Sequence, residues 1–160
     1  MPPDGIDLSQ ARVYNSPPDV ASWPATSRLT RLDLMPSGAH IESTKQEAWP
    51  DVYPPGWNGP LLYTLWIALK INGQWHTSGC VQYWRGLYEN GGPPSQYAQN
   101  WYYDPSRWGP MTGYQPSPGE QVGFFITAGD ARNNGVSLVK ERSNVVVVPF
   151  PTSSGTKFTF

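Results

Sequence analysis

Residues 61–84 read LLYTLWIALKINGQWHTSGCVQYW, and this stretch decides the fold. Leu61, Tyr63, Leu65, Ile67, Leu69 and Ile71 fall on one side of a period-two pattern, and Leu62, Thr64, Trp66, Ala68 and Lys70 fall on the other. Apolar residues on both sides predict a strand in the middle of a sheet, covered on both faces. Asn72-Gly73 follows. Both residues accept positive φ, so the pair signals a two-residue hairpin turn, and Gln74 to Trp84 is the return strand.

Working outward, Arg28 to Met35 alternates well enough for a half-buried strand with Leu32 and Leu34 inward, and Pro36-Ser37-Gly38 turns it back into a strand from Ala39 to Thr44. Glu120 to Ala128 sets Val122, Phe124, Ile126 and Ala128 on one side. Val145 to Val148, within Ser143 to Phe150, is a β-branched run that suits a strand covered on both faces. Ala11 to Asn15 and Thr156 to Phe160 read as short edge strands, while Ser16 to Thr26, with Pro17, Pro18 and Pro24, reads as irregular. A helix is expected near 94–101, where the prolines sit in the permitted first turn. Strands separated by turns, with no βαβ rhythm and no internal repeat, predict an all-β fold, an antiparallel β-sandwich of jelly-roll type with long aromatic Pro/Gly-rich loops and that one short helix. With 160 residues the chain is one domain long, and residues 1–10 and 152–160 read as loosely attached termini.

Charged residues make up only 14% of the chain, well below the usual quarter or so, while there are 8 Trp and 9 Tyr. The surface is therefore expected to be neutral, with amides, hydroxyls and rings. A net charge of −1 without a Lys/Arg cluster argues against nucleic acid, whose phosphates need a basic face, and against an anionic membrane surface. The apolar run Leu61 to Ile71 is much shorter than the roughly 20 residues of a membrane-spanning helix. Cys80 is the single cysteine, so neither an intramolecular disulfide nor a cysteine-based metal site can form. MPPDGIDLSQ lacks the basic and apolar regions of a secretion signal. That points to the cytoplasm if the chain starts here, and to a secreted or cell-surface protein if a signal has been removed.

The candidate ligand-binding residues are rings outside the strands. Trp49, Tyr53 and Trp57 lie in the proline-rich segment 45–60, and Tyr88, Tyr97, Trp101, Tyr103 and Trp108 lie in 86–114 with Asp104 and Arg107 among them. A pyranose has an apolar C–H face that stacks on Trp or Tyr and a belt of hydroxyls that amides, carboxylates and guanidinium groups can bond. The competing reading is that these rings pin two loops onto the body of the fold, which large aromatics often do. Both insertions adjoin the central hairpin, so they are expected to work together. The turn sequence GDARNNG at 129–135 has polar groups for hydroxyls but is first of all good turn chemistry, and calcium there has no supporting pattern.

Glu89, Asp104, Glu120, Asp130 and Glu141 lie near aromatic or turn segments, but no spacing marks two of them as a hydrolytic pair. His40 and His76 sit apart on strands, so no metal ligand set is assigned. Ser78 and Cys80 beside His76 lack the base and oxyanion hole of acyl transfer, and no nucleotide-binding or hydrolase motif occurs. In composition and strand pattern the chain resembles carbohydrate-binding modules and lectin-like sandwiches. That resemblance implies a non-catalytic module, with no cofactor and a polysaccharide or glycan as partner. A self-assembling structural subunit, hence a homo-oligomer, is the first alternative, and a small glycoside hydrolase is the second.

Overall fold

The computed structural model describes residues 5–14, 19–44, 61–85, 96–101, 114–130 and 140–160. Eleven strands run through them: β1 Arg12–Tyr14, β2 Ala25–Ser27, β3 Leu29–Met35, β4 Gly38–Thr44, β5 Leu61–Ile71, β6 Gln74–Arg85, β7 Gln96–Trp101, β8 Gln121–Asp130, β9 Lys140–Ser143, β10 Val146–Pro149 and β11 Thr156–Thr159. Two three-residue 3-10 turns, Leu8–Gln10 and Val20–Ser22, are the only helical elements among the described residues. The protein is all-β.

The strands form two sheets. The first has the order β1-β6-β5-β8-β9-β2, with β10 also pairing with β8, and the second has the order β11-β3-β4-β7. The Asn72-Gly73 turn joins β5 to β6, with φ of 53° and 81° at the two residues, as a turn matching the twist of the strands requires. From it the ladder runs from Ile71 opposite Gln74 to Leu61 opposite Arg85. On its other side β5 pairs with β8, from Leu69 opposite Val122 to Leu61 opposite Asp130. β5 is thus the central strand that its two-sided apolar pattern foretold.

Each face of β5 enters a different core. Leu65, Ile67 and Leu69 meet Phe124, Ile126, Val146 and Val148 of their own sheet, and Leu29, Leu32, Leu34 and Ile41 of the second sheet. Burying each such side chain contributes on the order of 1.5–3 kcal/mol, so this cluster holds the two sheets together. On the opposite face Trp66 and Ala68 join Phe125 and Val145 beneath Ile6, Leu8, Val20 and Trp23. Trp66 stacks on Phe125 at 5.5 Å and donates its indole N–H to Thr127 Oγ1 at 3.0 Å, so its polar edge is satisfied inside the core. The N-terminal segment therefore forms a third layer over the first sheet.

One expectation needs correction. Residues 96–101 are not a helix but β7, paired with β4 from Thr44 opposite Gln96 to Ala39 opposite Trp101. Pro93 and Pro94 lie before this run rather than inside it, and six residues without proline can satisfy their backbone on the edge of β4, which outweighs a weak helical signal. Described residues near both ends of the chain also make contacts. Gly5 donates its N–H to Val145 O, Ile6 and Leu8 are 8% and 3% exposed, and β11 pairs with β3 from Thr156 opposite Leu34 to Thr159 opposite Arg31. Short apolar residues scattered among Pro, Asp and Gly carry little periodic signal, yet the outer face of β5 needs a cover.

Candidate functional site

The strand registers sort the connections by the end of the sheets at which they attach. Leu61 of β5 lies level with Arg85 of β6 and Asp130 of β8, and Gly129 of β8 lies opposite Lys140 of β9. Connections 86–95 and 131–139 therefore leave the first sheet, and 45–60 enters it, at one common end. In the second sheet Thr44 and Gln96, where 45–60 departs and 86–95 arrives, are opposite each other. Two ties fix that end beside β2 and β9: Thr44 donates its N–H to Arg28 O at 2.9 Å, and Asn144 donates its N–H to Ser27 O at 3.1 Å. Asn144 also receives the Leu29 N–H on its side-chain oxygen at 2.8 Å, which stitches the crossing from β2 to β3 onto the first sheet.

The far end carries the Asn72-Gly73 turn and the turn at Pro36-Ser37 between β3 and β4. It is closed by Phe150, which donates its N–H to Glu120 O at 2.7 Å and accepts the Gly119 N–H at 2.9 Å. The segment from Trp101, opposite Ala39, to Gln121 starts and finishes at this end. The two aromatic insertions do adjoin the open side of the β5–β6 hairpin, but residues 102–113 belong to a connection attached at the opposite end.

This divides the ten candidate residues. Trp49, Tyr53, Trp57, Tyr88, Tyr103, Asp104, Arg107 and Trp108 lie outside the described residues. By their places in the chain the first four belong to connections of the first end and the last four to the connection of the far end. Tyr97 and Trp101 lie on β7 at register positions opposite Ser43 and Ala39, both of which are buried on the side of β4 that faces the core.

Beneath the first end the structure places buried polar residues: Ser27, Ser43, Glu141, Arg142, Ser143 and Asn144. Glu141 accepts a hydrogen bond from the Thr26 hydroxyl, and Arg142 donates to Ser143 O at 2.9 Å. Ser143 Oγ takes the Ile126 N–H at 3.0 Å. A buried carboxylate and guanidinium next to the attachment points of three connections give this end a buried polar cluster.

Other polar groups that strand-by-strand reading of the sequence left unassigned are also ordered. On the outer face of the second sheet Arg31 forks onto Asp33, with Nε to Oδ1 at 3.1 Å and NH2 to Oδ2 at 2.7 Å, and reaches Glu42 at 3.2 Å. His40 Nε2 meets the same Glu42 oxygen at 2.9 Å. The pairing with Asp33, and secondarily with Glu42, raises the Arg31 pKa. The alternations Arg31-x-Asp33 and His40-x-Glu42 were the available signal, since each pair shares a strand face. At the far end Tyr114 donates its hydroxyl to Glu120 at 2.6 Å, and this bond, with lesser help from burial and the charge of Glu120, pushes the phenol pKa up to about 12. Glu120 also accepts the Ser117 N–H at 3.2 Å, so it is held as an anchor. His40 and His76 lie in different sheets, and among the described residues no group of three or more His, Cys, Asp or Glu is placed to hold a metal ion. No described helix is long and apolar enough to cross a membrane.

No protein-family model matches the sequence, and no curated protein is significantly similar to it.

Proposed function

We propose that this chain is a non-catalytic glycan-binding module of β-sandwich architecture, whose binding end is the one that carries connections 45–60, 86–95 and 131–139. The observation that carries this reading is the common attachment of those three connections. Two of them bring Trp49, Tyr53, Trp57 and Tyr88, and the third brings Arg132, Asn133 and Asn134. Rings for the apolar face of a sugar and side chains for its hydroxyls thus belong to one pole.

The finer architecture fits that use. A jelly roll, being a rolled hairpin, sends most consecutive strands to opposite sheets, whereas here the pairs β3–β4, β5–β6 and β8–β9 each stay within one sheet. The orders β3-β4-β7 and β6-β5-β8-β10 are those of an immunoglobulin-type sandwich, a scaffold whose binding loops gather at one end. The assignment to an end narrows the ring set to Trp49, Tyr53, Trp57 and Tyr88. Trp108, on the connection of the far end, becomes the internal control.

Affinity electrophoresis through gels containing soluble polysaccharides tests the proposal. Retardation on at least one glycan is expected for the native chain, and Trp49→Ala or Trp57→Ala is expected to weaken it by about 2 kcal/mol, roughly 30-fold, as for a central aromatic anchor. Trp108→Ala should migrate like the native protein. Unchanged mobility of the native chain over a broad panel would sink the proposal, and loss of binding in Trp108→Ala alone would move the site to the far end.

A further inference from the structure

We propose that residues 5–14 form an acid-released strap over the outer face of the first sheet, whose clasp between Tyr14 and His76 opens when His76 takes up a proton. This inference does not depend on glycan binding. The strap is held in three ways. Gly5 donates its N–H to Val145 O at 2.8 Å, and Ile6 and Leu8 are buried over Trp66 and Phe125. β1 then runs parallel to β6, with Arg12, Val13 and Tyr14 opposite His76, Thr77 and Ser78. That ladder is only three residues long, at the short end of the usual range.

Its reinforcement is the clasp. The Tyr14 hydroxyl lies 2.8 Å from His76 Nδ1, the two rings stack at 5.6 Å with planes 7° apart, and the Arg12 guanidinium lies 5.0 Å from the Tyr14 ring centroid. With a neutral imidazole that carries its proton on Nε2, Nδ1 accepts from the phenol, and all three groups are compatible. A proton on Nδ1 turns the acceptor into a donor, forces the hydroxyl to reverse and sets an imidazolium beside Arg12, its register partner. No compensating anion faces it among the described residues. β1 presents Arg12 and Tyr14, β5 presents Leu69 opposite, Lys70 alternates to the other face, and β6 itself offers Gln74 and Ser78 on either side. Burial, and then Arg12, lower the His76 pKa.

The direction follows. A histidine whose folded-state pKa lies below its unfolded value favours the folded strap while neutral. That stabilisation weakens as the pH falls from the unfolded value of about 6.5 towards the lower folded one. The chain has only 2 histidines, and His40 lies in the other sheet, so exchange at β1 between about pH 7.5 and 5 reports on this clasp, while the hydrogen bonds from Ser9 hold the pKa of the strap's own carboxylate, Asp7, below its usual value.

Amide hydrogen exchange tests the strap, with rates expressed as protection factors so that the intrinsic pH dependence cancels. Between pH 7.5 and 5 the protection of Val13 and Tyr14 is expected to fall several-fold while that of Ile67 and Phe124 holds. His76→Gln, neutral throughout, should remove the step, and Arg12→Gln should shrink it. Should His76→Gln fail to fold, Tyr14→Phe replaces it, with protection of Val13 already reduced at pH 7.5 and no further step. The proposal is overturned by equal protection at the two pH values in the native chain, or by an undiminished step in the variant that lacks the clasp.

Discussion

On the outer face of the first sheet Trp66, Ala68 and Phe125 lie under Ile6, Leu8, Val20 and Trp23; on the outer face of the second, Arg31, Asp33, His40 and Glu42 bond to one another with no such layer described over them. The two sheets share one core, yet one carries a second apolar surface and the other a polar one. The difference begins in the strand sequences. β5 alternates large apolar residues on both sides, so whatever lies outside the shared core must also be hidden. β3 and β4 alternate apolar with charged, so their outer side can stay wet. The N-terminal segment answers the first need. It supplies the covering side chains and also contributes β1 and β2, which run along the two edges of the first sheet. Those edges are blunted by residues of the same chain, while the second sheet ends on β11 and β7.

Removing the largest side chain of the covered face is the most severe way to test that contrast. Trp66→Ala empties a fully buried site, breaks the stack on Phe125 and leaves Thr127 Oγ1 without its indole donor. A loss of roughly 3–5 kcal/mol is expected in urea denaturation, read as a lower midpoint at unchanged slope. A loss below about 1 kcal/mol would mean that this face is not a packed layer.

Leu8→Ala acts from the other side of the same layer and separates cover from ornament. A residue 3% exposed in a packed cluster is expected to cost roughly 2–5 kcal/mol on truncation, whereas a loosely attached terminus would give less than about 0.5. The measurement is again the denaturation midpoint, with Ile6→Ala as the companion variant. If both changes are neutral, the strap contributes nothing to global stability and the third layer has to be abandoned.

The same contrast explains what was legible in the residues alone. β3, β4, β5, β6 and β8 could be read because their pattern is local: alternation, then a turn such as Asn72-Gly73 whose backbone only a few residues accept. The cover could not, since Ile6, Leu8, Val20 and Trp23 are single apolar residues among Pro, Asp and Ser, and only the exposed need of β5 gives them a purpose. β7 was hidden for a similar reason. Its identity as a strand depends on the vacant edge of β4, a partner more than fifty residues away in the chain. For the candidate site, the ring composition was plain, but its grouping depended on which strand ends coincide. The connections that carry Trp49, Trp57 and Tyr88 attach at one end, and the connection that carries Trp108 attaches at the other, because Leu61 and Arg85 lie level while Trp101 leads to the far end. No spacing in a linear sequence contains that.

The smallest expected effect lies on the bare face. Arg31 is the hub there, forked onto Asp33 and touching Glu42, and its side chain is 43% exposed against 21% and 20% for the two carboxylates. Water and salt screen such a network, and the long side chain loses rotamer freedom in holding the fork, so geometry this good still contributes little. Arg31→Ala is expected to move the denaturation midpoint only slightly, and raising the salt from about 0.05 to 1 M should remove most of that difference, because the Debye length falls from above 10 Å to about 3 Å. A loss as large as that of Leu8→Ala, persisting in salt, would show that the polar face is a buried interface. The two outer faces would then be alike in needing a cover, one supplied by the N-terminal segment and the other by a second molecule.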